Sequence, residues 1–369
     1  MKISCNTQSL NKALQTVQKA IATKPSTPIL AGIHMQTLEN KVVIQANDLN
    51  MAIASTIDAD IIEAGEIVVS GRMLIELARK LPGEVVSISK NKDNNSISIE
   101  SGNSKNSLLA MNEDDYPQFP TFEEEKSIDI PDDKLKELIK KTIFACSNDE
   151  ARPLFTGILV DIKEGNVTFV GTNTHRLAIK TLPLDTEENM SIIIPSKVLA
   201  EIARNLNSEA PSLVNIATVN NQVRVTTENA LIVSRLIEGK FPDYKRVIPP
   251  KFSIKTNVNA SELAGAVERV SLFSTEGEYS IVKVYVVADK LTINSSSPEL
   301  GTGHEEIFCT TEGGEVNVAF NSRYVLDILK NIDAENVTLS MNTSLSPVCI
   351  TAGEEQDYTY IVTPVRVVF

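Results

Sequence analysis

Residues that carry metal or redox chemistry are scarce in this chain of 369 residues, which has three histidines, four cysteines and no tryptophan. The cysteines are scattered at positions 5, 146, 309 and 349. They lack both the paired spacing of a zinc site and the short spacing of a redox motif. We therefore expect no metal site and no cofactor, and we expect the thiols to be reduced and partly buried.

Long apolar runs are also missing. No segment approaches the ~18–20 apolar residues that a membrane span requires. Polar residues follow residues 1–5 at once, so the apolar core of a signal peptide is absent. A composition with 42% apolar and 22% charged residues is ordinary for a soluble globular protein. The sequence therefore predicts a cytoplasmic protein.

The strongest positive signal is an internal repeat. Two helical segments each occur three times, with a period of roughly 125 residues that is too long for a solenoid and suits whole domains. We therefore predict three similar domains, at residues 1–125, 126–250 and 251–369. The first segment lies at residues 9–21, 133–143 and 261–270, and the second at residues 73–81, 198–206 and 324–332. A third segment occurs twice, at residues 115–120 and 239–244.

Each predicted domain combines its two helices with about eight strands. The strands alternate apolar and polar residues, as at residues 33–38 and 41–46, which is typical of hairpins with one buried face. The fold class is therefore α+β, with antiparallel sheets that carry helices on one side. Linkers are predicted at residues 118–131 and 245–256, where prolines and charges cluster. The second helix of each domain has a candidate N-cap, namely Ser70, Ser196, and Asn321 or Ser322.

Charge is distributed unevenly. The net charge of −13 argues at first against a nucleic-acid partner, because phosphate binding relies on Lys and Arg. However, the six predicted helices sum to +6, which leaves −19 for the rest of the chain. Lys and Arg are good helix formers on solvated faces, so this surplus has an ordinary structural explanation. The alternative is a shared basic surface that faces a polyanion, and the repeat favours it because equivalent helices recur on equivalent faces.

Several segments resemble signature segments of the bacterial sliding clamp family, the beta subunits of DNA polymerase III. The resemblance covers essentially the whole chain, with three domains in register. Its clearest segments are Thr172-Asn-Thr-His-Arg-Leu-Ala-Ile179, Gly239-Lys-Phe-Pro-Asp-Tyr-Lys-Arg-Val-Ile-Pro249 and Thr363-Pro-Val-Arg-Val367, with further matches at Thr27-Pro-Ile-Leu30 and Asp115-Tyr-Pro117.

The resemblance implies a replicative processivity factor without catalytic activity. Two three-domain crescents would join head to tail into a homodimeric ring of six domains around duplex DNA, with helices lining the hole and sheets outside. Binding would be independent of DNA sequence, because the helices approach phosphates rather than bases. The resemblance gives Lys24, Arg152 and Lys197 as DNA-facing residues, and charge adds Arg72, Lys136, Lys140 and Lys141. Relatives often have an aromatic pair after the arginine, where this chain has Pro153 and Leu154.

The resemblance also implies an apolar pocket for short peptides of partner proteins, with arginines at its rim. The DNA polymerase III catalytic subunit, the clamp loader and other replication and repair proteins would dock there. Ring closure would pair Leu108 of one chain with Leu272 and Phe273 of the other, although these last two also suit an ordinary core. Val368 and Phe369 extend past the family pattern and would either add to the pocket or occlude it. The implied pocket residues are Thr172, His175, Arg176, Leu177, Pro242, Arg246, Val247, Tyr324, Pro347, Val348, Ile361, Pro364, Val365 and Arg366.

Two other functions compete with this one. An enzyme would use His175 with interdomain carboxylates, but no nucleophile or orienting carboxylate lies near it in sequence. A monomeric scaffold would gather peptide-bearing partners without DNA. The mass of the pure protein and its retention on circular DNA separate the three hypotheses.

Overall fold

The computed structural model describes residues 1–25, 27–91, 94–120, 126–206, 211–274, 280–352 and 357–367. Residues 368 and 369, on which the predicted effect of the C-terminal extension depends, lie outside this range. So do residues 121–125 of the first predicted linker.

Six α-helices lie in the described part of the chain, one at each predicted helical segment. Helix α1 shows why these segments are helical, because Leu10, Leu14 and Val17 recur every three to four residues and are buried on one face. The prediction of two helices per repeat is confirmed. The helices are α1 (Thr7–Val17), α2 (Gly71–Ala78), α3 (Asp132–Thr142), α4 (Ser196–Asn205), α5 (Ala260–Ser271) and α6 (Ser322–Leu329).

The predicted N-caps behave differently from one another. Asn321 caps α6, because its side chain accepts the backbone N–H of Arg323 at 3.0 Å. Ser70 occupies the N-cap position of α2, but its side chain makes no capping hydrogen bond. Position in the sequence therefore identified both cap sites, but of these two side chains only that of Asn321 makes the capping hydrogen bond.

Twenty-five strands are described, and every ladder between them is antiparallel. The first nine are β1 (Lys2–Asn6), β2 (Gly32–Leu38), β3 (Lys41–Asn47), β4 (Met51–Asp58), β5 (Asp60–Glu63), β6 (Glu66–Ser70), β7 (Val85–Lys90), β8 (Ser96–Ser101) and β9 (Ser104–Met111). The next eight are β10 (Lys126–Pro131), β11 (Gly157–Lys163), β12 (Asn166–Thr172), β13 (Arg176–Pro183), β14 (Met190–Pro195), β15 (Leu213–Val219), β16 (Gln222–Thr226) and β17 (Leu231–Arg235). The last eight are β18 (Ile254–Asn259), β19 (Ile281–Val287), β20 (Lys290–Ser297), β21 (Gly301–Glu312), β22 (Val316–Asn321), β23 (Asn336–Met341), β24 (Val348–Ala352) and β25 (Tyr358–Val362).

The chain divides into two compact units, each built on one sheet. Unit 1 contains residues Met1–Leu135 and Lys197–Leu236, and unit 2 contains Lys136–Ser196 and Ile237–Phe369. The sheet of unit 1 has the strand order β10-β15-β16-β17-β4-β3-β2-β6-β9-β8-β7-β1-β5. The sheet of unit 2 has the order β14-β11-β12-β13-β25-β24-β23-β18-β21-β20-β19-β22.

Each sheet contains one ladder that joins strands from two different sequence repeats. In unit 1, β17 pairs with β4, and Val233 lies opposite Ala52. In unit 2, β25 pairs with β13, and Leu177 lies opposite Ile361. The compact units therefore cut across the sequence repeats, and the three-domain boundaries stay a prediction.

Asp132 ties the start of α3 to residue 212. Its buried carboxylate accepts the hydroxyl of Ser212 at 2.9 Å, and it also accepts the backbone N–H groups of Ser212 and Asp133. Burial acts to raise the pKa of this carboxyl, but the hydrogen bonds from Ser212 and Asp133 hold the pKa below its usual value.

Asp132→Asn is therefore expected to destabilise the protein in a pH-dependent way. Because the folded pKa is the lower one, the carboxylate's stabilisation is present above about pH 4 and is lost as the pH falls through the folded pKa. We expect the free energy of unfolding to drop by about 1–2 kcal/mol at pH 7. Urea titrations at pH 7 and pH 3 test this, with the exposed Asp133→Asn as control. If Asp132→Asn lowered the free energy of unfolding by the same amount at both pH values, the loss of stability would not come from the charge of the carboxylate.

Candidate functional site

The turn between β12 and β13 is held by its own side chains. The hydroxyl of Thr172 accepts the N–H of Thr174 at 3.1 Å, and Asn173 Oδ1 accepts the N–H groups of His175 and Arg176, both at 3.0 Å. Thr174 has a φ of 77°, a left-handed conformation that is uncommon for a residue other than glycine. The turn therefore fixes the backbone while the His175 side chain stays exposed.

The C-terminal segment docks on this turn. The N–H of Thr363 donates to the carbonyl oxygen of His175 at 2.9 Å, just beyond the ladder between β13 and β25. This contact brings the predicted pocket residues of the Thr172 to Leu177 segment beside those of the Ile361 to Arg366 segment. Residues at least 184 positions apart in the sequence thus lie side by side. We call this region groove A.

The floor of groove A is apolar. Leu177 and Ile361 belong to a buried cluster, and half-buried Phe241, Tyr244 and Ile248 pack against it. Burial and the nearby carboxylates of Asp161 and Asp243 raise the pKa of Tyr244. Aromatic groups that are only partly covered are typical of binding sites for anchor side chains. The other floor residues are Leu159, Val170, Ile193 and Cys349, and the other half-buried neighbours are Leu154, Ile179, Ile237 and Phe252.

The predicted set of pocket residues did not include two aromatic residues of groove A. Phe241 and Tyr244 lie within the 239–249 segment that carries the resemblance. The signal that identifies them is the pair of aromatic residues flanking Pro242 and Asp243.

The rim of groove A is formed by exposed residues of the segment after β17. Pro242 and Arg246 are exposed, and Val247 is an apolar side chain with 50% exposure. Arg246 Nε donates to Asp243 Oδ2 at 3.0 Å. An exposed Val beside a half-buried aromatic cluster supplies apolar surface for a ligand.

Arg176 does not lie at the rim, contrary to the expectation of arginines there. Its side chain is 9% exposed and donates to the carboxylate of Asp327 and to the carbonyl oxygen of Phe144. Its guanidinium also stacks over the ring of Tyr324, 4.6 Å from the ring centre. These partners reach Arg176 through the tertiary fold, so both Arg176 and Tyr324 act as an internal brace.

Val348 is a second correction to the predicted pocket. Its side chain is fully buried in a cluster with Val362, whereas its neighbour Cys349 lies in the floor cluster of groove A. Successive residues of a strand point to opposite faces of the sheet, so only one of these two neighbours can face the groove. The groove-facing residue is Cys349. Pro347, Pro364, Val365 and Arg366 are half-buried or exposed.

The predicted DNA-facing residues are exposed, with one exception. Lys141 is buried, and its ammonium donates to Asp333 Oδ2 at 2.8 Å and to the carbonyl oxygen of Asn331. A side chain held in this way is not available to a phosphate, so Lys141 was a wrong prediction. Arg72 lies near Glu76 and Arg152 near Asp149, in exposed ion pairs of the kind that contribute little to stability. The exposed residues are Lys24, Arg72, Lys136, Lys140, Arg152 and Lys197.

Several strands pair on one side only among the described strands: β5, β10, β14 and β22 at the ends of the two sheets, and one segment each of β9 and β21. Residues 104–109 of β9 find their ladder partners on β8, and residues 301–308 of β21 find theirs on β20. Leu109 on the first edge is 81% exposed, and Phe308 on the second is 72% exposed. Sequence reasoning missed both residues, because an unpaired edge is a property of the sheet.

The predicted interface residues lie on or beside these edges. Leu108 belongs to β9 and is half-buried, and Leu272 is 70% exposed at the end of α5. Phe273 packs on the start of β21, where a Cβ added to Gly303 would lie 2.7 Å from its ring. Phe273 thus supports the β21 edge.

Within the described residues, no group of three or more His, Cys, Asp or Glu side chains is arranged to hold a metal ion. Burial raises the pKa of the Cys5 and Cys349 thiols to about 11 and that of Cys146 to about 12. Thiols with such pKa values are poor nucleophiles at neutral pH. No helix in the described part of the chain has the length and apolar character to cross a membrane.

Three family models match the chain in succession. They describe the N-terminal, central and C-terminal domains of the DNA polymerase III beta subunit, and they match residues 1–120, 129–243 and 245–366. The beta sliding clamp of Staphylococcus epidermidis is 32% identical over 363 residues, which cover 96% of each protein. The beta sliding clamp of Staphylococcus aureus is 33% identical over the same length and coverage.

Solved structures agree with these matches. The DNA polymerase sliding clamp of Bacillus subtilis superposes with a TM-score of 0.95 at 31% identity, and all of both chains is covered. A sliding clamp of Pseudomonas aeruginosa, solved bound to griselimycin, gives a TM-score of 0.94 at 27% identity, again over all of both chains.

Repeated α+β modules that the three domain models match in succession define a clamp-type protein. The chain belongs to the DNA polymerase III beta subunit family, the bacterial sliding clamps. The predicted fold class is thereby confirmed. So is the predicted function, that of a DNA sliding clamp and non-catalytic processivity factor.

Proposed function

We propose that two copies of this chain close head to tail into a ring of six domains around duplex DNA in the cytoplasm. The observation that carries the proposal is the pair of open edges on β9 and β21. Within each chain, the last strand of one repeat already pairs with the fourth strand of another, as β17 with β4 and β25 with β13. The remaining last strand is β9, and the remaining fourth strand is β21. A second copy supplies the missing partner for each.

This pairing is heterologous, so each chain uses a different edge at each end and the assembly closes only if the rotation suits it. Three repeats per chain and two chains give two identical junctions. The exposed Leu109 and Phe308 give these edges apolar surface to bury, which is typical of an interface.

We propose further that the exposed basic residues of the helices and turns face the DNA, without Lys141. Sliding on duplex DNA is favoured by phosphate contacts that carry no sequence information. The net positive charge of the helices supports this role, and retention depends on closure more than on affinity. The residues assigned to this surface are Lys24, Arg72, Lys136, Lys140, Arg152 and Lys197.

The test for encirclement is retention on DNA of defined topology. The protein is loaded onto nicked circular duplex by the clamp loader with ATP and is then isolated by gel filtration. We expect it to elute with the circle and to be released when a restriction enzyme linearises the DNA. Retention on the linear form would show that affinity, and not topology, holds the protein.

We propose that groove A binds peptide segments of the polymerase III catalytic subunit, the clamp loader and other replication and repair proteins. The half-buried aromatic side chains over an apolar floor support this role. The groove residues assigned by similarity are Thr172, His175, Leu177, Pro242, Arg246, Val247, Pro347, Ile361, Pro364, Val365 and Arg366, with Arg176 and Tyr324 beneath them as a brace.

Val247→Glu is expected to weaken the binding of a synthetic peptide that copies the clamp-binding segment of the polymerase catalytic subunit. A carboxylate replaces exposed apolar surface at the rim, so we expect the Kd to rise by at least about tenfold, or about 1.4 kcal/mol. Fluorescence anisotropy with the labelled peptide measures this. Leu213→Glu, at a 64% exposed leucine on β15, is the matched control and should bind as the unsubstituted protein does. Equal Kd values for both variants would remove Val247 from the site.

A further inference from the structure

The turn between β3 and β4 in unit 1 repeats the turn of groove A. Asn47 Oδ1 accepts the N–H of Leu49 at 2.8 Å, as the hydroxyl of Thr172 does for Thr174. The φ of Leu49 is 73°, against 77° for Thr174. The two turns therefore share both their first hydrogen bond and their unusual backbone conformation.

The other hydrogen bonds of this turn are repeated as well. Asp48 Oδ1 accepts the N–H groups of Asn50 and Met51 at 2.9 and 2.8 Å, the two positions that Asn173 serves in groove A. The N–H of Arg235 then donates to the carbonyl oxygen of Asn50 at 3.2 Å. This bond corresponds to the contact that docks the C-terminal segment on groove A.

A cavity of about 190 Å³ lies at this second site, which we call groove B. Its floor is smaller than that of groove A, because Ala52 and Val233 occupy the ladder positions of Leu177 and Ile361. A cavity of about 150 Å³ accepts a benzene molecule, so this volume suits one aliphatic or aromatic side chain. Groove B is lined by Leu49, Asn50, Met51, Pro117, Gln222 and Arg235, among others.

Leu49 marks groove B as a site and not merely a gap. A bulky residue rarely adopts a positive φ, and such strain is retained where the surrounding structure imposes it, often at ligand clamps. Leu49 is also 50% exposed, so a branched apolar side chain is presented to solvent at the mouth of the cavity. Strain and exposure together indicate a residue that makes a contact with a ligand.

The chemistry of groove B differs from that of groove A. Gln118 and Gln222 offer amide groups, and the exposed Arg235 offers a guanidinium at the edge of the cavity. Amides pair with the backbone of an extended chain, and a guanidinium selects a carboxylate. The matching ligand is an extended peptide with an aliphatic anchor beside an acidic residue.

We propose that groove B is a second peptide-binding site, which takes an extended acidic segment of a partner protein and is independent of groove A. The inference rests on the proposed function in that groove A provides the pattern of a peptide site. It adds a different ligand class and a different place on the chain.

The test uses the full-length protein labelled with ¹³C at methionine methyl groups, because Met51 lines groove B. The probes are acetyl-Gly-Asp-Leu-Gly-amide and acetyl-Gly-Lys-Leu-Gly-amide, titrated to millimolar concentration. We expect the acidic peptide to shift the Met51 methyl signal saturably and to bind at least about fivefold more tightly than the lysine peptide. An unchanged Met51 signal, or equal affinities for the two peptides, would overturn the proposal.

Two variants separate the roles of the residues. Arg235→Glu should reverse the preference between the two peptides. Leu49→Gly should weaken binding by at least about fivefold without lowering the melting temperature, because glycine accepts a positive φ. Binding that survives both variants would place the peptide elsewhere.

A separate control distinguishes groove B from groove A. Val247→Glu should leave the Met51 response unchanged, and the polymerase peptide should not displace the acidic probe. Competition between the two peptides would overturn the independence of the sites. If the polymerase peptide did not bind while the acidic probe still shifted the Met51 signal, groove B would remain a peptide site and groove A would not be one.

Discussion

Leu109→Asp and Phe308→Asp are each expected to convert the proposed head-to-tail dimer into a monomer. The dimer has a mass of about 80 kDa, twice that of the 40.3 kDa chain. Each substitution places a carboxylate against apolar surface at both junctions of a head-to-tail dimer. A buried group without a partner costs about 2–3 kcal/mol at each junction. The two junctions together lose about 4–6 kcal/mol, so the dimer Kd rises by at least about a thousandfold. Light scattering coupled to gel filtration measures the mass.

Mixing the two monomeric variants tests the direction of the association. In a mixed dimer, one junction carries both carboxylates and the other carries none. We therefore expect mass near 80 kDa to return on mixing, whereas neither variant dimerises alone. This mixed dimer has one closed junction, so it should not be retained on nicked circular DNA.

The control for these variants is Leu38→Asp, which changes a leucine of 61% exposure at the end of β2. It should remain a dimer. If Leu109→Asp dissociated the protein while Phe308→Asp did not, the contact would join two copies of the same β9 edge. Dimers that persist in both variants would exclude the open edges as the interface.

Removal of the carboxylates around Lys180 is expected to have the largest effect on stability. The Lys180 side chain is 4% exposed, and its ammonium lies 2.8 Å from Glu137 Oε1 and 2.9 Å from Asp357 Oδ2. Burial acts to lower the pKa of this lysine, but the two carboxylates raise it above its usual value. The two carboxylates therefore compensate for the burial of this charge inside unit 2.

We expect the double variant Glu137→Gln and Asp357→Asn to lose about 3–5 kcal/mol at pH 7, because it leaves a buried ammonium without a counter-charge. With desolvation unopposed, the folded pKa of Lys180 should fall below its unfolded pKa. The variant should then become more stable as the pH rises from 7 towards 10, since the unfolded state binds the extra proton. In the unsubstituted protein, stability from this lysine is instead lost as the pH rises through its raised folded pKa.

Lys180→Met in the same background is the matched control. Replacing an ion pair by an apolar side chain of similar size is often neutral, so most of the lost stability should return. The measurement is the free energy of unfolding in urea at pH 7 and pH 9.5. If the double variant were as stable as the unsubstituted protein, water and not the two carboxylates would stabilise the charged ammonium group of Lys180.

Some features followed from local sequence alone. The apolar spacing of Leu10, Leu14 and Val17 required no partner to indicate a helix, and the same held for the other five helices. The N-cap positions were local in the same sense. Whether a side chain makes the capping hydrogen bond did not follow from local sequence, since Asn321 makes it and Ser70 does not.

Other features depended on residues far away in the chain. Arg176 was expected at the rim of groove A. Its side chain is instead buried and donates a hydrogen bond to Asp327, which lies 151 residues further along the chain. Lys141 was expected at the DNA surface, but Asp333 holds it from 192 residues away. Charge in a sequence shows which side chains are able to bind a phosphate, but not which of them a carboxylate has already occupied.

The amino-acid sequence by itself determined the repeat, the six helices, the family and the segments that build groove A, because these depend on local pattern and on matched motifs. The tertiary structure alone decided which face each strand residue takes, which cations are buried, and which strand edges stay open. It also showed that unit 1 holds a second groove with the turn geometry of the first. Pairing between strands is a long-range contact, and no local pattern records which edge remains without a partner.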